Sequence, residues 1–530
     1  MKPSVLAIAL DGPNLDLLYH WLDNGSLPVL RSIIKNGALG HHVHTKRFRN
    51  ERCWEILLSG RDINAPGSTF DPATYDYYND SPQREHRYSP FYALGEAYRT
   101  CVFDLPATLS EKVRGFQVFG WGSELNVSTP VSSPATLIGE LQARHGDDPK
   151  LTQSIKVLDH QTREVENSYV IPNLYNDAEI RAYKEKLLTS VDRRTGICLD
   201  LLAREHWDLF LLNFCETHTA NHLLWHLDGQ HPVNQVGVRQ SQLLLEISQA
   251  VDSAIGRLIA AVPDGSTVAI YTIDHTAANS MDVPSMALLP EMLYRWNYPE
   301  QALMAPGKAG MPVPPLRRDY TNVWKHEIWA LLTDSGKVLL ESPGALEASG
   351  HPLSWHPAAW YRKLWPSMKA FALPSVSDGY VRINVKGREA KGVVDPDDYL
   401  DTLESISAML HSLTNPRTGK PAVKALHRTR DFAFDTPDIP PDLIVSWNDD
   451  NPADCIDCPA LGRVGPLPYF RTGGHLAHGS VIEGLFAAQG PEIAPGTIAR
   501  SGTLEDVPAT ILALLDAIPN PEMTGKSLLG

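Results

Sequence analysis

Apolar runs of strand length alternate along the chain with segments of helical period. Residues 4–10, SVLAIAL, are almost uninterruptedly apolar and end in Asp11-Gly12. Such a run predicts a parallel strand buried on both faces, with helices above and below its sheet. LDLLYHWLD and PVLRSIIKN then carry apolar residues at helical spacing, closed by Gly25 and Gly37, with Asn14 or Asp16 available as a cap. Short strands are predicted at Thr100–Phe103 and Phe116–Phe119, and a long amphipathic helix from residue 176. Trp207–Phe214, WDLFLLNF, is a second buried strand. Leu244, Ile247, Val251, Ile255 and Leu258 form the inward stripe of the helix after it. Thr267 opens a third strand that runs to Asp274-His275, and DLIVSW at 442–447 reads as a further core strand. Strand and helix in alternation predict an α/β fold, a mostly parallel central sheet with helices on both faces. DGYVRINVKGREAKGVV, 378–394, alternates like a half-buried strand pair turning at Lys386-Gly387-Arg388. Residues 283–375, rich in Pro and Trp, read as an insertion over the active edge. The expected division is a core of 1–282 and 432–530, with 283–431 as an inserted cap and accessory segment.

Composition narrows the function classes. The 530 residues are 43% hydrophobic and 21% charged, an ordinary globular balance. With 62 acidic against 47 basic residues the net charge is -15, which disfavours a nucleic-acid partner. An anionic small substrate stays open, because a bound cation dominates its local field. The N-terminus lacks a basic region followed by a long apolar one, and no stretch reaches the length of a membrane span, so a cytoplasmic setting without membrane contact is expected. The six cysteines are scattered; Cys455 and Cys458 form a lone CxxC, read as two loop thiols. Oligomeric state is left open.

The chemistry gathers at strand ends. In FCETHTANHLLWH, His218 and His222 are four apart, so on a helix both imidazoles leave one face a turn apart. That suits two nitrogens on one divalent ion, although an amphipathic helix with packed histidines has the same spacing. The strand before it delivers the pair to the carboxyl edge of the sheet, where α/β proteins bind ligands. A helix beginning near Asn50, with Trp54, Ile56, Leu57 and Leu58 inward, would set its N-terminus toward an anion, and Arg47, Arg49 and Arg52 add charge nearby. His41, His42 and His44 could mimic a metal tract but read as a loop cluster near Asn50. His478, in HLAH, reads as a surface histidine.

Taken in order, Asp11, His218-x3-His222, Asp274-His275 and Gly474-His475 resemble the alkaline phosphatase superfamily, nearest its type I phosphodiesterase/nucleotide pyrophosphatase branch. GLFAAQGPEIAPG, DVPATILALL and MTGKSL look like that branch's C-terminal run, and YVRINVKGRE resembles a segment of its longer bacterial members. The resemblance implies two divalent ions, commonly zinc, about 4 Å apart and clamping an anionic group. One ion would take Asp11, Asp274 and His275; the other His218, His222 and His475. The chain departs from the pattern twice. Where the branch has a Thr or Ser nucleophile, counting nine residues back from Ser59 reaches Asn50. An amide is no nucleophile near neutral pH, though its carbonyl can ligate a metal, and Thr45 has the wrong spacing to substitute. His218 stands where an Asp is usual, which makes one set all-histidine and favours a metal-activated water. The expected function is therefore metal-dependent hydrolysis of a phosphorus-containing or similar ester. Asn50 would be a ligand or orienting group, with Arg49 and Arg52 as anion contacts. The alternatives are a repurposed metalloenzyme, a lyase or biosynthetic tailoring enzyme, or a non-catalytic metal- or ligand-binding protein.

Overall fold

The computed structural model describes residues 4–45, 53–63, 68–79, 88–122, 130–158, 165–169, 172–173, 176–225, 242–279, 281–305, 307–315, 324–437, 439–448, 453–469 and 471–530. Val5–Leu10 (β1) is buried at every position. Its successive side chains feed two cores. Leu6, Ile8 and Leu10 pack with helices Leu15–Asp23, Pro28–Asn36, Asp177–Arg204 and Leu243–Ile259. Val5, Ala7 and Ala9 pack with Cys53–Ser59 and Asp506–Leu514. The two-residue strand period is why one apolar run serves both faces.

β1 pairs in parallel with Leu209–Phe214 (β2) on one side and Thr267–Thr272 (β3) on the other, and Leu10 stands level with both Phe214 and Thr272. Gly95–Phe103 and Val113–Phe119 extend the sheet in parallel beyond β2, and contain the two short strands expected there. Beyond β3 comes Val481–Gln489, antiparallel to it and to Ala38–Thr45. The ten-stranded sheet is thus mostly parallel with helices on both faces, as the sequence pattern predicts. Asn14 caps the first helix, its carbonyl accepting from the Leu17 amide at 2.9 Å. No helix among the described residues is long and apolar enough to cross a membrane.

A second core takes residues from Met281 to Tyr469, joined by Phe70, Tyr75 and Tyr77. It holds an antiparallel sheet in the order Ala370–Leu373, Gly379–Ile383, Leu443–Trp447, Val423–Arg428. Three expectations change. Leu443–Trp447 is a buried strand, but of this accessory sheet; uniform burial made its apolar run indistinguishable from one of the central sheet. Beyond Ile383 the chain forms no second long strand. The buried Glu389 carboxylate takes the Val385 amide at 2.7 Å, and Gly387 turns the backbone at φ +81°. His41, His42 and His44 lie on a strand of the central sheet, not in a loop, with His42 and His44 buried and His41 exposed. Cys455 and Cys458 are buried free thiols, and Cys458 lies on the strand Ile456–Cys458.

Candidate metal centre

Three neighbouring parallel strands end flush, so whatever follows them shares one edge of the sheet. Asp11 follows β1, and Asp274-His275 follow β3. β2 runs into the helix Glu216–Leu224, buried throughout, which carries His218 and His222. The two histidine rings meet as helical spacing requires, with Nε2 atoms 2.6 Å apart. His475 comes from far along the chain. Thr276–Ala278 (β4) pairs antiparallel with Gly473–His475 (β5), and Thr276 stands opposite His475. Its ring lies edge-on to both others, centroids 5.0 Å from His218 and 5.1 Å from His222. One ring nitrogen from each of His218, His222 and His475 falls within 4.8 Å of the other two.

The acids expected to join His275 stand beside this triad. Asp11 Oδ1 lies 3.3 Å from His218 Nδ1, and Asp274 Oδ2 lies 2.7 Å from His475 Nδ1. Asp274 Oδ1 also accepts the His275 amide at 2.7 Å. Asp11, His218 and His222 are buried; Asp274, His275 and His475 are half-buried. Asp11 thus stands against His218 and Asp274 against His475, while His275 adjoins Asp274 in the chain and faces Asn14. The second grouping of Asp11, Asp274 and His275 is looser: among the described residues only the histidine triad forms a three-donor cluster. Asn50, Arg49 and Arg52, expected beside it, lie outside the described residues, as does Arg47.

Close approach explains two glycines. Gly12 is left-handed at φ +54°, and a Cβ there would stand 2.8 Å from His218 Cγ. At Gly473 a Cβ would come within 1.9 Å of the Asn221 carbonyl oxygen, so only glycine lets β5 reach the histidine helix. Hydroxyls pin the Asp11-Gly12 corner: Thr217 donates to the Asp11 carbonyl at 2.7 Å and Thr276 to that of Gly12 at 2.8 Å. The Asn14 amide donates to the Thr276 carbonyl at 2.8 Å, with its nitrogen 3.4 Å from His275 Nε2. Sequence reading had Asn14 only as a possible cap and missed the threonines; their one signal is that each adjoins a ligand candidate.

The electrostatics suit a cation. Burial, then the nearby Arg471, His218 and His475, hold the His222 imidazole well below its ordinary pKa, so it is neutral at pH 7. Its Nδ1 faces the Gly473 carbonyl at 2.6 Å, which assigns the ring hydrogen to Nδ1 and leaves the Nε2 lone pair toward the triad. Three imidazoles and two carboxylates, with one imidazole oriented by a carbonyl, are a donor set that fits zinc or a similar ion.

Behind the helix lies a buried ion network. Arg194 Nε donates to Glu216 Oε1 at 2.9 Å and its Nη1 to Asp104 Oδ2 at 2.8 Å, all three side chains fully buried. It fixes the first residue of the histidine helix to the long helix Asp177–Arg204.

No family model matches the chain, and no curated protein does. Solved structures do. Human ectonucleotide pyrophosphatase/phosphodiesterase 5 is 12% identical, with 99% of this chain and 97% of that one covered, at a TM-score of 0.45. The murine protein in complex with AMP gives 11% identity, 98% and 96% coverage and the same score of 0.45. Phosphonoacetate hydrolase from Sinorhizobium meliloti 1021, in complex with phosphonoformate, gives 11%, 97% and 96%, again at 0.45. All three scores fall below one half, so the fold rests on this chain's own strand order. The chain is similar to these pyrophosphatase/phosphodiesterase and phosphonoacetate hydrolase structures over nearly its whole length.

Proposed function

We propose that the chain is a metal-dependent hydrolase of a small anionic substrate, a phosphorus-containing or similar ester, with water rather than a side chain as nucleophile. One observation carries the reading: three imidazole nitrogens within 4.8 Å of one another, flanked by two carboxylates, at the edge where three parallel strands end. His218, His222 and His475 would hold one divalent ion; Asp11, Asp274 and His275 the other. Bound there, such ions, zinc in this reading, supply Lewis acidity and lower the pKa of water toward about 7.

The protein's own part is orientation. The neutral His222 directs Nε2 inward because its Nδ1 is held by Gly473. Thr217 and Thr276 fix the Asp11-Gly12 corner against the histidine helix. Asn50, with no ionisable proton near neutral pH, orients substrate or ligates rather than attacks, and Arg49 and Arg52 contact the anion. Residues 283–431 act as an inserted cap over a core of 1–282 and 432–530, except that Leu443–Trp447 joins the cap's sheet and apolar side chains from Ala433 to Tyr469 pack into the cap's core. A cytoplasmic setting fits six cysteines that are all buried free thiols.

The test is metal analysis of protein purified without chelators, then turnover of phosphate monoesters, phosphate diesters and sulfate esters. The expected result is at least one tightly held metal per chain and chelator-sensitive turnover of one ester class. Less metal than that overturns the reading. Full loading with no ester turned over also overturns it, and points to lyase or tailoring chemistry on the same scaffold.

A further inference from the structure

Of the six residues expected to converge, only His475 is not delivered by the end of a central-sheet strand; it stands on the two-stranded ribbon of β4 and β5. Its stretch is gripped from the accessory sheet. The corner between Ala370–Leu373 and Gly379–Ile383 brings up Ser377 and Asp378, both fully buried. Ser377 Oγ donates to the His475 carbonyl at 3.2 Å. Asp378 Oδ2 accepts the His478 amide at 2.8 Å. The corner therefore holds both ends of His475–His478.

The corner is itself fixed. Asp282 Oδ1 accepts the Ser377 amide at 2.9 Å, while its Oδ2 pairs with Arg471 Nε, two residues before β5. Ser285 Oγ donates to the Ser377 carbonyl at 3.1 Å and receives the Trp447 indole N–H at 2.8 Å. Ser446 Oγ donates to Asp378 Oδ1 at 3.2 Å. Ser377 is left-handed at φ +65°, a conformation that a glycine holds with less strain. What glycine lacks there is the hydroxyl, and that hydroxyl reaches the His475 backbone.

We propose that Ser377 and Asp378 are positioning residues for the metal centre: through the backbone at His475 and His478, the accessory sheet sets where the third imidazole stands. The proposal rests on the metal reading above. It separates two effects that a purely structural role would join. Ser377→Gly relieves the left-handed backbone strain while it removes the hydroxymethyl group that reaches His475, so the metal-free protein should melt no lower than wild type while metal affinity falls. Changes to the partners that orient metal ligands commonly cost 10–100-fold in affinity, and about tenfold is expected for Ser377→Gly and for Asp378→Asn. Ser407→Ala removes a hydroxyl that donates to the Leu403 carbonyl within the helix Tyr399–His411, away from this corner, and should leave affinity unchanged.

The full-length protein is titrated with Co²⁺ and followed by visible absorption. Zn²⁺ affinity is measured by chelator competition, and the metal-free proteins are melted alongside. The expected result is weakened binding and altered Co²⁺ bands in Ser377→Gly and Asp378→Asn, without a lower melting temperature in Ser377→Gly. Wild type that takes up no Co²⁺ overturns this inference together with the proposed function. Wild type that binds, with Ser377→Gly and Asp378→Asn indistinguishable from it, overturns the positioning role alone. So does a loss of affinity that Ser407→Ala shares, or that follows melting temperature across all three variants.

Discussion

His42 should make the central sheet sensitive to acid. Its ring is 1% exposed and occupies the space over Gly484, where a Cβ would come within 1.9 Å of it. Its Nε2–H donates to the Thr272 carbonyl at 3.0 Å, at the end of the strand that leads to Asp274. Burial is the main cause that pushes its pKa down from 6.5 to about 4; neighbouring His44 and His41 add to this, and the Thr272 carbonyl opposes it. The depressed value means that the unfolded chain takes the proton first. Stability from the neutral ring is therefore complete above the unfolded pKa, is lost as pH falls from 6.5 toward 4, and changes no further below. The whole loss is about 3 kcal/mol, and about 2 kcal/mol of it has gone by roughly pH 5. The assay is urea unfolding of metal-free wild type and His42→Gln at roughly pH 7 and pH 5. The variant starts less stable because the ring's packing is lost, but its drop between the two conditions should be smaller than that of wild type by about 2 kcal/mol. An equal drop in the two would refute the argument, because a ring that is not held neutral cannot produce the slope.

Gly473→Ala places a Cβ 1.9 Å from the Asn221 carbonyl oxygen and must push β5 off the histidine helix. It should cost about 1–3 kcal/mol in thermal unfolding and strip the centre of metal by elemental analysis, whereas Gly265→Ala, with open space at its Cβ, should retain metal. Glu216→Gln leaves the buried Arg194 with one fewer carboxylate, and about 3–5 kcal/mol should be missing from denaturant unfolding. Asn50→Thr restores the hydroxyl that the resembled branch carries, and should bring a burst of leaving group from phosphodiesters in rapid mixing with excess substrate; a folded, metal-loaded variant without one would mean that the pocket is remade.

Five parallel strands of the central sheet and most helices around them were legible in the chain, because two-faced burial writes a continuous apolar run and one-faced burial writes a helical stripe. Val5–Leu10, Leu209–Phe214 and Thr267–Thr272 are such runs, and a chemistry-bearing residue follows each. The pairing of His218 with His222 was also readable, since helical spacing alone sets it. Tertiary structure decided the rest. Leu443–Trp447 carries the same kind of run, yet pairs in the accessory sheet, because burial says that a strand is inside and not which neighbour it has. His42 and His44 alternate inward on a sheet strand, which a cluster of polar letters disguised. Spacing could not show that Asp11 stands against His218, that Asp274 stands against His475, or that Ser377 reaches the His475 carbonyl from 98 residues away. Those contacts depend on three strands ending level and on one ribbon crossing between two sheets, and local sequence encodes neither.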